Sequence, residues 1–249
     1  MESLRDDGQR EVLMRFFKTA PGEYGEGGEF LGLKVPQTRK VVKAVERETE
    51  LSEAAALLAS EWHEVRLCGL LMMVSKFERL STQRLIDDAD AMAGRDAILT
   101  MYLQHADQAN NWDLVDLSAP KILGRWLLLP TLLGNGNGKM NRAYKEAVVD
   151  SLAEADNLWR QRMSIVCTLR PLQEGDPSWC LRYAEKLLHH PHDLMHKATG
   201  WMLREMGKRV SMDLLRSFLN EHAATMPRTT LRYAIEKMDE EERSKWLNV

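Results

Sequence analysis

Apolar residues recur every three or four positions along most of the chain, which is the spacing expected of amphipathic α-helices. Strands are not indicated, because β-branched residues rarely fall into alternating runs. The predicted helices cover, in chain order, residues 8–19, 37–48, 51–60, 61–77, 81–92, 95–108, 112–128, 139–153, 157–169, 177–188, 193–208, 213–222 and 226–238. This pattern predicts an all-α protein.

A weak internal period suggests how these helices are arranged. Arg162, Lys197 and Arg232 each lie near the start of an amphipathic helix, and they follow one another at intervals of 35 residues. Helix pairs that repeat at about this interval are typical of a HEAT-like α-solenoid, in which antiparallel pairs stack and the inner helices line a curved, concave face. The glycine-rich linker at 134–138 is too short to establish a domain boundary, so we expect a single HEAT-like repeat domain over residues 1–249.

Charge is unevenly distributed along the chain. The net charge of -3 gives no argument for a polyanionic partner, yet residues 159–237 contain 13 Lys and Arg against 8 Asp and Glu. This excess would allow the concave face to be basic and to bind an anion. The alternative is an ordinary solvated helical surface.

The cysteines and the polarity of the chain indicate a compartment. Cys68, Cys167 and Cys180 are widely spaced among apolar residues, so a disulfide framework or a thiolate metal site is not indicated. No apolar run reaches membrane-spanning length, and the first seven residues are too polar for a signal peptide. We therefore expect a cytoplasmic, monomeric protein that does not contact a membrane.

The segment at 110–116 places an indole and a carboxylate four residues apart, at Trp112 and Asp116. Residues four apart share a helix face. Because core helices bury Trp and leave Asp outside, the pair indicates a surface that holds something cationic or polar. The alternative is a partly buried Trp beside a capping or solvated Asp.

The helix predicted at 193–208 has a basic stripe that contains a tryptophan. The stripe, within about 60° on a helical wheel, comprises Lys197, Trp201, Arg204 and Lys208. The opposite, apolar side comprises Met195, Ala198, Met202, Leu203 and Met206. The stripe therefore suggests contact with a sugar-phosphate chain, whereas the alternative is burial of the indole at its edge.

Three further arginines are candidates for phosphate contact. Arg162 lies at the flank of the apolar face of its helix, and its guanidinium could hold a phosphate or form an ion pair between helices. Arg228 and Arg232 lie four residues apart behind Pro227 and could extend the basic track or belong to a solvated face.

Several other chemistries are not indicated. The glycines between 22 and 32 are not followed by Lys-Ser/Thr and not preceded by a strand, so they do not form a nucleotide loop. The spacing of His189, His190, His192 and His196 matches no recognised zinc pattern, and no serine-hydrolase motif is present. We expect neither a metal nor a cofactor.

Taken together, four segments resemble the AlkD-type DNA alkylation repair family, whose members are HEAT-like-repeat DNA glycosylases. They are Asn-Trp-Asp-Leu-Val-Asp at 111–116, Asn-Leu-Trp-Arg-Gln-Arg at 157–162, Lys-Ala-Thr-Gly-Trp-Met-Leu-Arg-Glu at 197–205 and Phe-Leu-Gly-Leu-Lys-Val-Pro at 30–36. The similarity extends over nearly the whole chain in order. The glycine-rich loop after Tyr24 departs from the spacing of the best-known branch of the family.

The resemblance implies a role for four residues. The family's catalytic Asp falls on Asp116, its two cleft tryptophans fall on Trp112 and Trp201, and its phosphate-contacting Arg falls on Arg162. The implied partner is double-stranded DNA containing alkylated purines, and the implied activity is base excision. The family also contains branches thought to bind DNA without glycosylase activity.

We therefore predict a DNA glycosylase that hydrolyses the N-glycosidic bond of N3- or N7-alkylated, cationic purines in duplex DNA. Two alternatives stay open at this point. One is a non-catalytic repeat protein that recognises distorted or branched DNA, and the other is a protein-interaction solenoid.

Overall fold

A computed structural model of the chain describes all residues from 1 to 249, and it is helical with only two isolated β-bridges. The α-helices are α1 Asp7–Phe16, α2 Val35–Val45, α3 Leu51–Ala56, α4 His63–Leu80, α5 Ala89–Gln104, α6 Trp112–Ser118, α7 Leu123–Trp126, α8 Arg142–Ala153, α9 Leu158–Val166, α10 Leu169–Gln173, α11 Ser178–Lys186, α12 Asp193–Arg209, α13 Met212–His222, α14 Arg228–Ala234 and α15 Glu240–Leu247. The all-α prediction is confirmed.

The helix predicted at 81–92 is wrong. Only a short 3-10 turn, Gln83–Leu85, forms there, and α5 begins at Ala89. Asp88 sets this start, because its carboxylate accepts a hydrogen bond from the backbone N–H of Ala91 at 2.8 Å. The apolar spacing alone did not reveal that a capping residue interrupts the helix.

The structure also differs from the predicted helices at other places. The helix expected at 112–128 ends at Ser118, two residues before Pro120, and α7 begins at Leu123. Proline has no backbone N–H to donate to the carbonyl oxygen four residues earlier, so Pro120 cannot continue the hydrogen-bond pattern of the helix. Beyond the last predicted helix the chain forms α15, whose start is capped by the carboxylate of Asp239.

The helices form two compact units, one of residues 1–122 with 129–141 and the other of residues 123–128 with 142–249. In the first unit α4 is central and packs against α2, α3, α5 and α6. It is surrounded by protein along most of its length, and it buries Leu67, Met73 and Phe77.

In the second unit α12 is central and packs against α9, α11, α13 and α14. Gly200 allows the close approach of α14, since a Cβ atom there would lie 2.5 Å from the carbonyl oxygen of Thr230. The 35-residue period corresponds to this packing, because Arg162, Lys197 and Arg232 lie on α9, α12 and α14. The stacking of successive helices is that of an α-solenoid.

Two properties expected from composition can be compared with the structure. None of the helices combines the length and apolar character needed to cross a bilayer. All three cysteines are buried, and burial raises the pKa of the Cys68 thiol to about 11 and that of the Cys180 thiol to about 12. Such thiols stay protonated at neutral pH and are poor nucleophiles.

Candidate functional site

The first unit contains a pocket of about 380 Å³ that has Trp112 and Asp116 in its wall. The remaining wall comes from α1, from the segment that leads into α2, and from the first turns of α4. Both predicted residues are half-buried and line the same pocket. The structure therefore brings together the indole and the carboxylate that the four-residue spacing placed on one helix face.

Aromatic rings form the buried part of the wall. The ring of Phe30 stacks on that of Phe17 with centroids 5.2 Å apart and on that of His63 with centroids 4.5 Å apart. All three side chains are buried. All three residues line the pocket, where the two phenyl rings contribute apolar aromatic surface.

Two aromatic side chains with more exposure complete the wall. The Trp112 ring lies 5.3 Å from that of Phe17 and 5.8 Å from that of Phe16, which meets it edge-on at 70°. Phe16 is 60% exposed, an unusual degree for so large an apolar side chain. Trp112 and Phe16 border solvent, whereas Phe17 forms part of the buried wall.

The start of α6 fixes the position of Trp112. The side-chain oxygen of Asn111 accepts a hydrogen bond from the backbone N–H of Trp112 at 2.8 Å. Leu114 and Val115, on the other side of this short helix, are fully buried and hold it in place. Asp116 follows one turn after Trp112 and thus reaches the same pocket.

His63 and Asp113 form a buried pair that sequence reasoning missed. His63 Nε2 lies 2.9 Å from Asp113 Oδ2, and both side chains are almost completely buried. The second oxygen, Asp113 Oδ1, is buried and has no hydrogen-bond partner. Because the two residues are 50 positions apart, no local pattern could have indicated the contact. The pair joins α4 to α6 beneath the pocket.

Glu64 is a second residue that the sequence did not reveal. Its carboxylate accepts hydrogen bonds from the backbone N–H groups of Leu31, Gly32 and Leu33, at 2.8 to 2.9 Å. Gly32 has φ +89°, and a Cβ atom there would lie 2.1 Å from the carbonyl oxygen of Asp6. The end of the glycine-rich segment is therefore fixed by a carboxylate of the protein itself.

In the second unit, the stripe on α12 lies opposite the apolar face that was predicted for it. All five predicted apolar residues are fully buried, whereas Trp201 is half-buried and Lys208 is exposed. Lys197 forms an ion pair with Asp193 at 2.7 Å, and Arg204 forms one with Glu236. Two of the three cations of the stripe, Lys197 and Arg204, thus have acidic neighbours within the protein.

The three other arginines differ in depth. Arg162 is only 5% exposed, and its Nη1 donates a hydrogen bond to the carbonyl oxygen of Leu194 at 2.7 Å, which joins α9 to the start of α12. Arg228 is exposed, with its Nη2 donating to the carbonyl oxygen of Leu247, and Arg232 is exposed as well. Contact of these residues with phosphate stays a prediction.

His192 caps the start of α12, and His190 contacts the backbone of this capping residue. His192 Nδ1 accepts a hydrogen bond from the backbone N–H of Leu194, and His190 Nδ1 accepts one from that of His192. Burial lowers the pKa of both rings, and so do the neighbouring histidines. A ring nitrogen that accepts a hydrogen bond carries no proton. The structure shows no group of His, Cys, Asp or Glu arranged for a metal ion.

Comparisons with known proteins agree with this arrangement of helices. A family model described as DNA alkylation repair enzyme matches residues 1–238. The chain belongs to this family. Among solved structures, it is similar to a predicted DNA alkylation repair enzyme from Enterococcus faecalis, with 14% sequence identity and a TM-score of 0.64 over 95% of this chain and 97% of that one. A likeness at this identity shows the fold alone. No curated protein matches the chain.

The match to the DNA alkylation repair enzyme family extends over both units. It includes the pocket and every predicted DNA-binding residue, since these all lie before residue 239. Of the helices, only α15 lies outside it. The family resemblance found in the sequence is confirmed, while the roles of the individual residues stay predictions.

Proposed function

We propose that this DNA alkylation repair protein is a glycosylase that hydrolyses the N-glycosidic bond of N3- or N7-alkylated purines in duplex DNA, the first step of base excision repair. The observation that carries the proposal is that the Asp116 carboxylate lines an aromatic-walled pocket beside Trp112. The proposal includes a cytoplasmic monomer that acts as a single domain. Family membership supports DNA repair, and the pocket supports the reaction.

The chemistry of an alkylated purine requires only one carboxylate. Its ring is already cationic, so when the bond from C1′ to the base breaks, the bonding electrons neutralise the departing base. Positive charge then develops on the sugar, and the Asp116 carboxylate stabilises it. A water molecule bonds to C1′ through its oxygen and gives its proton to Asp116. Protonation of the leaving group, which sugar hydrolases obtain from a second carboxyl group, is unnecessary.

Aromatic faces are suited to the same substrate. A cation over an indole gains about 0.5 to 2 kcal/mol. Trp112 offers such a face in the pocket, and we assign the same contribution to Trp201 on α12. Replacing either indole by leucine would keep apolar bulk and remove this attraction.

The basic residues of the second unit would hold the DNA backbone. They are Arg162, Lys197, Arg204, Lys208, Arg228 and Arg232. Lys197 and Arg204 would exchange their bonds to Asp193 and Glu236 for bonds to phosphate. Such exchanges make binding dependent on salt, since phosphate neutralisation releases counterions.

The test is single-turnover release of 7-methylguanine and 3-methyladenine from alkylated duplex DNA. We expect Asp116→Asn to slow release by about 100-fold or more, whereas Asp90→Asn, which changes an exposed aspartate on α5, leaves it unchanged. Equal release by wild type and Asp116→Asn would remove Asp116 from the mechanism. Salt-dependent DNA binding without any release would favour the non-catalytic DNA-binding alternative.

A further inference from the structure

A basic stripe runs along the exposed side of α2 in the first unit. Three of its cations lie within about 100° of one another around the helix axis, and the fourth lies in the turn that follows the helix. All four are exposed, whereas Thr38 and Val42 on the other side of the helix are buried. This α2 stripe comprises Arg39, Lys40, Lys43 and Arg47.

The α2 stripe has no acidic partner within the protein. None of its four side chains forms an ion pair, and the carboxylate of Glu46, which follows the last helical cation by three residues, is bound to Arg79 at 3.2 Å. Lys197 and Arg204 of α12, in contrast, each bind a carboxylate. Like charges that lie about one helical turn apart repel one another. The stripe therefore destabilises the free protein, and a bound polyanion would remove the repulsion.

The α2 stripe leads away from the pocket that contains Asp116. Lys34 and Val35, at the start of α2, line this pocket, and the side chain of Lys34 is exposed. A helix rises by 1.5 Å per residue, so Lys43 lies about 14 Å farther along α2 than Lys34. This distance equals the axial rise of about four nucleotides on one DNA strand. A duplex whose alkylated nucleotide lies at Asp116 could therefore place neighbouring phosphates at the stripe.

We propose that the α2 stripe binds the sugar-phosphate backbone of the duplex beside the alkylated nucleotide. The inference rests on the proposed function and deepens it, because the phosphate contacts proposed above all lie in the second unit. Contacts with phosphate fix the register of a protein on DNA without reading its sequence. The α2 stripe would thus hold the lesion in register with Asp116 and would not select the bases around it.

The first test removes two charges of the stripe and keeps the side chains long. In Arg39→Gln/Lys43→Gln, the slope of log K for duplex binding against log salt concentration should become less steep by about 2, and the Kd at about 0.1 M salt should rise about tenfold. The control Arg243→Gln/Lys245→Gln removes the same charge from exposed positions on α15, outside the family match, and should keep the wild-type slope. Thermal unfolding checks that both variants fold. Equal slopes in these two variants would overturn the proposal.

The second test locates the contact on the DNA. The duplex contains one 7-methyl-2′-fluoro-deoxyguanosine, whose sugar resists base loss, and uncharged methylphosphonates replace single phosphates within about six nucleotides of it. In wild type, one or two neighbouring replacements should weaken binding, and the same replacements should have no further effect on Arg39→Gln/Lys43→Gln. Phosphates that contact the second unit should matter equally in both proteins. The same profile of sensitivity in both proteins would contradict the α2 stripe as a binding surface.

Other outcomes separate the α2 stripe from the proposed function and from another polyanion. Binding to phosphatidylserine vesicles that Arg39→Gln/Lys43→Gln loses, with unchanged duplex affinity, would assign the stripe to a membrane surface and overturn the proposal. A less steep salt slope in this variant, in a protein that releases no base, would contradict the glycosylase and support the stripe. An unchanged slope together with base release that depends on Asp116 would contradict the stripe and leave the glycosylase in place.

Discussion

The two units of this protein present their candidate functional residues in opposite ways. In the first, an indole and carboxylates line a pocket that is open to solvent on one side, and the stacked rings beneath them are almost completely buried. In the second, the basic residues of α12 are half-buried or exposed, and Lys197 and Arg204 already have acidic partners. The first arrangement suits a fixed geometry for chemistry, and the second suits exchangeable contact with a polyanion.

This difference has an energetic basis. Exposed ion pairs contribute little to stability, so they can be exchanged for phosphate at little cost. Buried polar contacts are costly to break, because a group left without a partner stays desolvated. We therefore expect substitutions near the pocket to alter stability and reaction, and substitutions on the surface of α12 to alter binding and its dependence on salt.

The largest effect on stability is expected at Glu64. Glu64→Ala leaves the buried N–H groups of Leu31, Gly32 and Leu33 without an acceptor, at a cost of about 4 kcal/mol in the free energy of unfolding. Glu61→Ala changes an exposed position just before α4, the helix that contains Glu64. It should lower the free energy of unfolding by less than about 0.5 kcal/mol. Urea titrations measure both, and equal losses would show that Glu64 does not fix the segment.

Gly200 offers the corresponding test of packing in the second unit. Gly200→Ala would force apart α12 and α14, since its Cβ would lie 2.5 Å from both the Thr230 carbonyl oxygen and the Tyr233 Cβ. We expect a loss of about 2 kcal/mol in unfolding free energy. Gly8→Ala is the control, because its Cβ makes an ordinary contact of 3.5 Å in α1 and should leave stability unchanged or slightly raised. An unchanged Gly200→Ala variant would contradict the close packing.

Acid should weaken the start of α12. Folding lowers the pKa of His190 and His192 from the ordinary 6.5, so below about pH 6.5 the unfolded chain binds more protons. Above this pH the two neutral histidines therefore make their full contribution to the free energy of unfolding, and this contribution decreases as the pH falls.

A substitution separates this effect from general acid unfolding. In His192→Asn, the amide oxygen can accept a hydrogen bond from the Leu194 N–H at any pH, so the free energy of unfolding should decrease less between pH 7.5 and 5.5 than it does in wild type. His189→Asn, at an exposed position, should keep the wild-type dependence. The same pH profile in all three proteins would exclude this cap as the acid-sensitive element.

The smallest effect is expected for single cations on α12. Lys208→Ala should reduce the slope of log K for duplex binding against log salt concentration by about 1, with no change in the release rate at saturating protein. Lys245→Ala, on α15 outside the family match, should leave the slope unchanged. Equal slopes for the two variants would show that the DNA backbone does not bind at Lys208.

The sequence predicted those features of the two units that depend on the spacing of residues within one helix. The four-residue interval placed Trp112 and Asp116 together, and the helical wheel of α12 separated its buried methionines from its cations. The sequence did not reveal the contacts of Glu64 with the segment 31–33 or of His63 with Asp113. These contacts join residues that are separated by between 31 and 50 positions along the chain. The depth of Arg162 was also not predictable, since it depends on how α9 meets α12. Periodicity identifies a face, whereas the packing of other helices decides what covers it.

The most direct test of the account measures base release and duplex affinity together for wild type and Asp116→Asn. The account predicts that single-turnover release of 7-methylguanine falls by about 100-fold or more while the Kd for the alkylated duplex stays within a few-fold of the wild-type value. Equal rates of release at saturating protein would contradict the assignment of chemistry to this pocket.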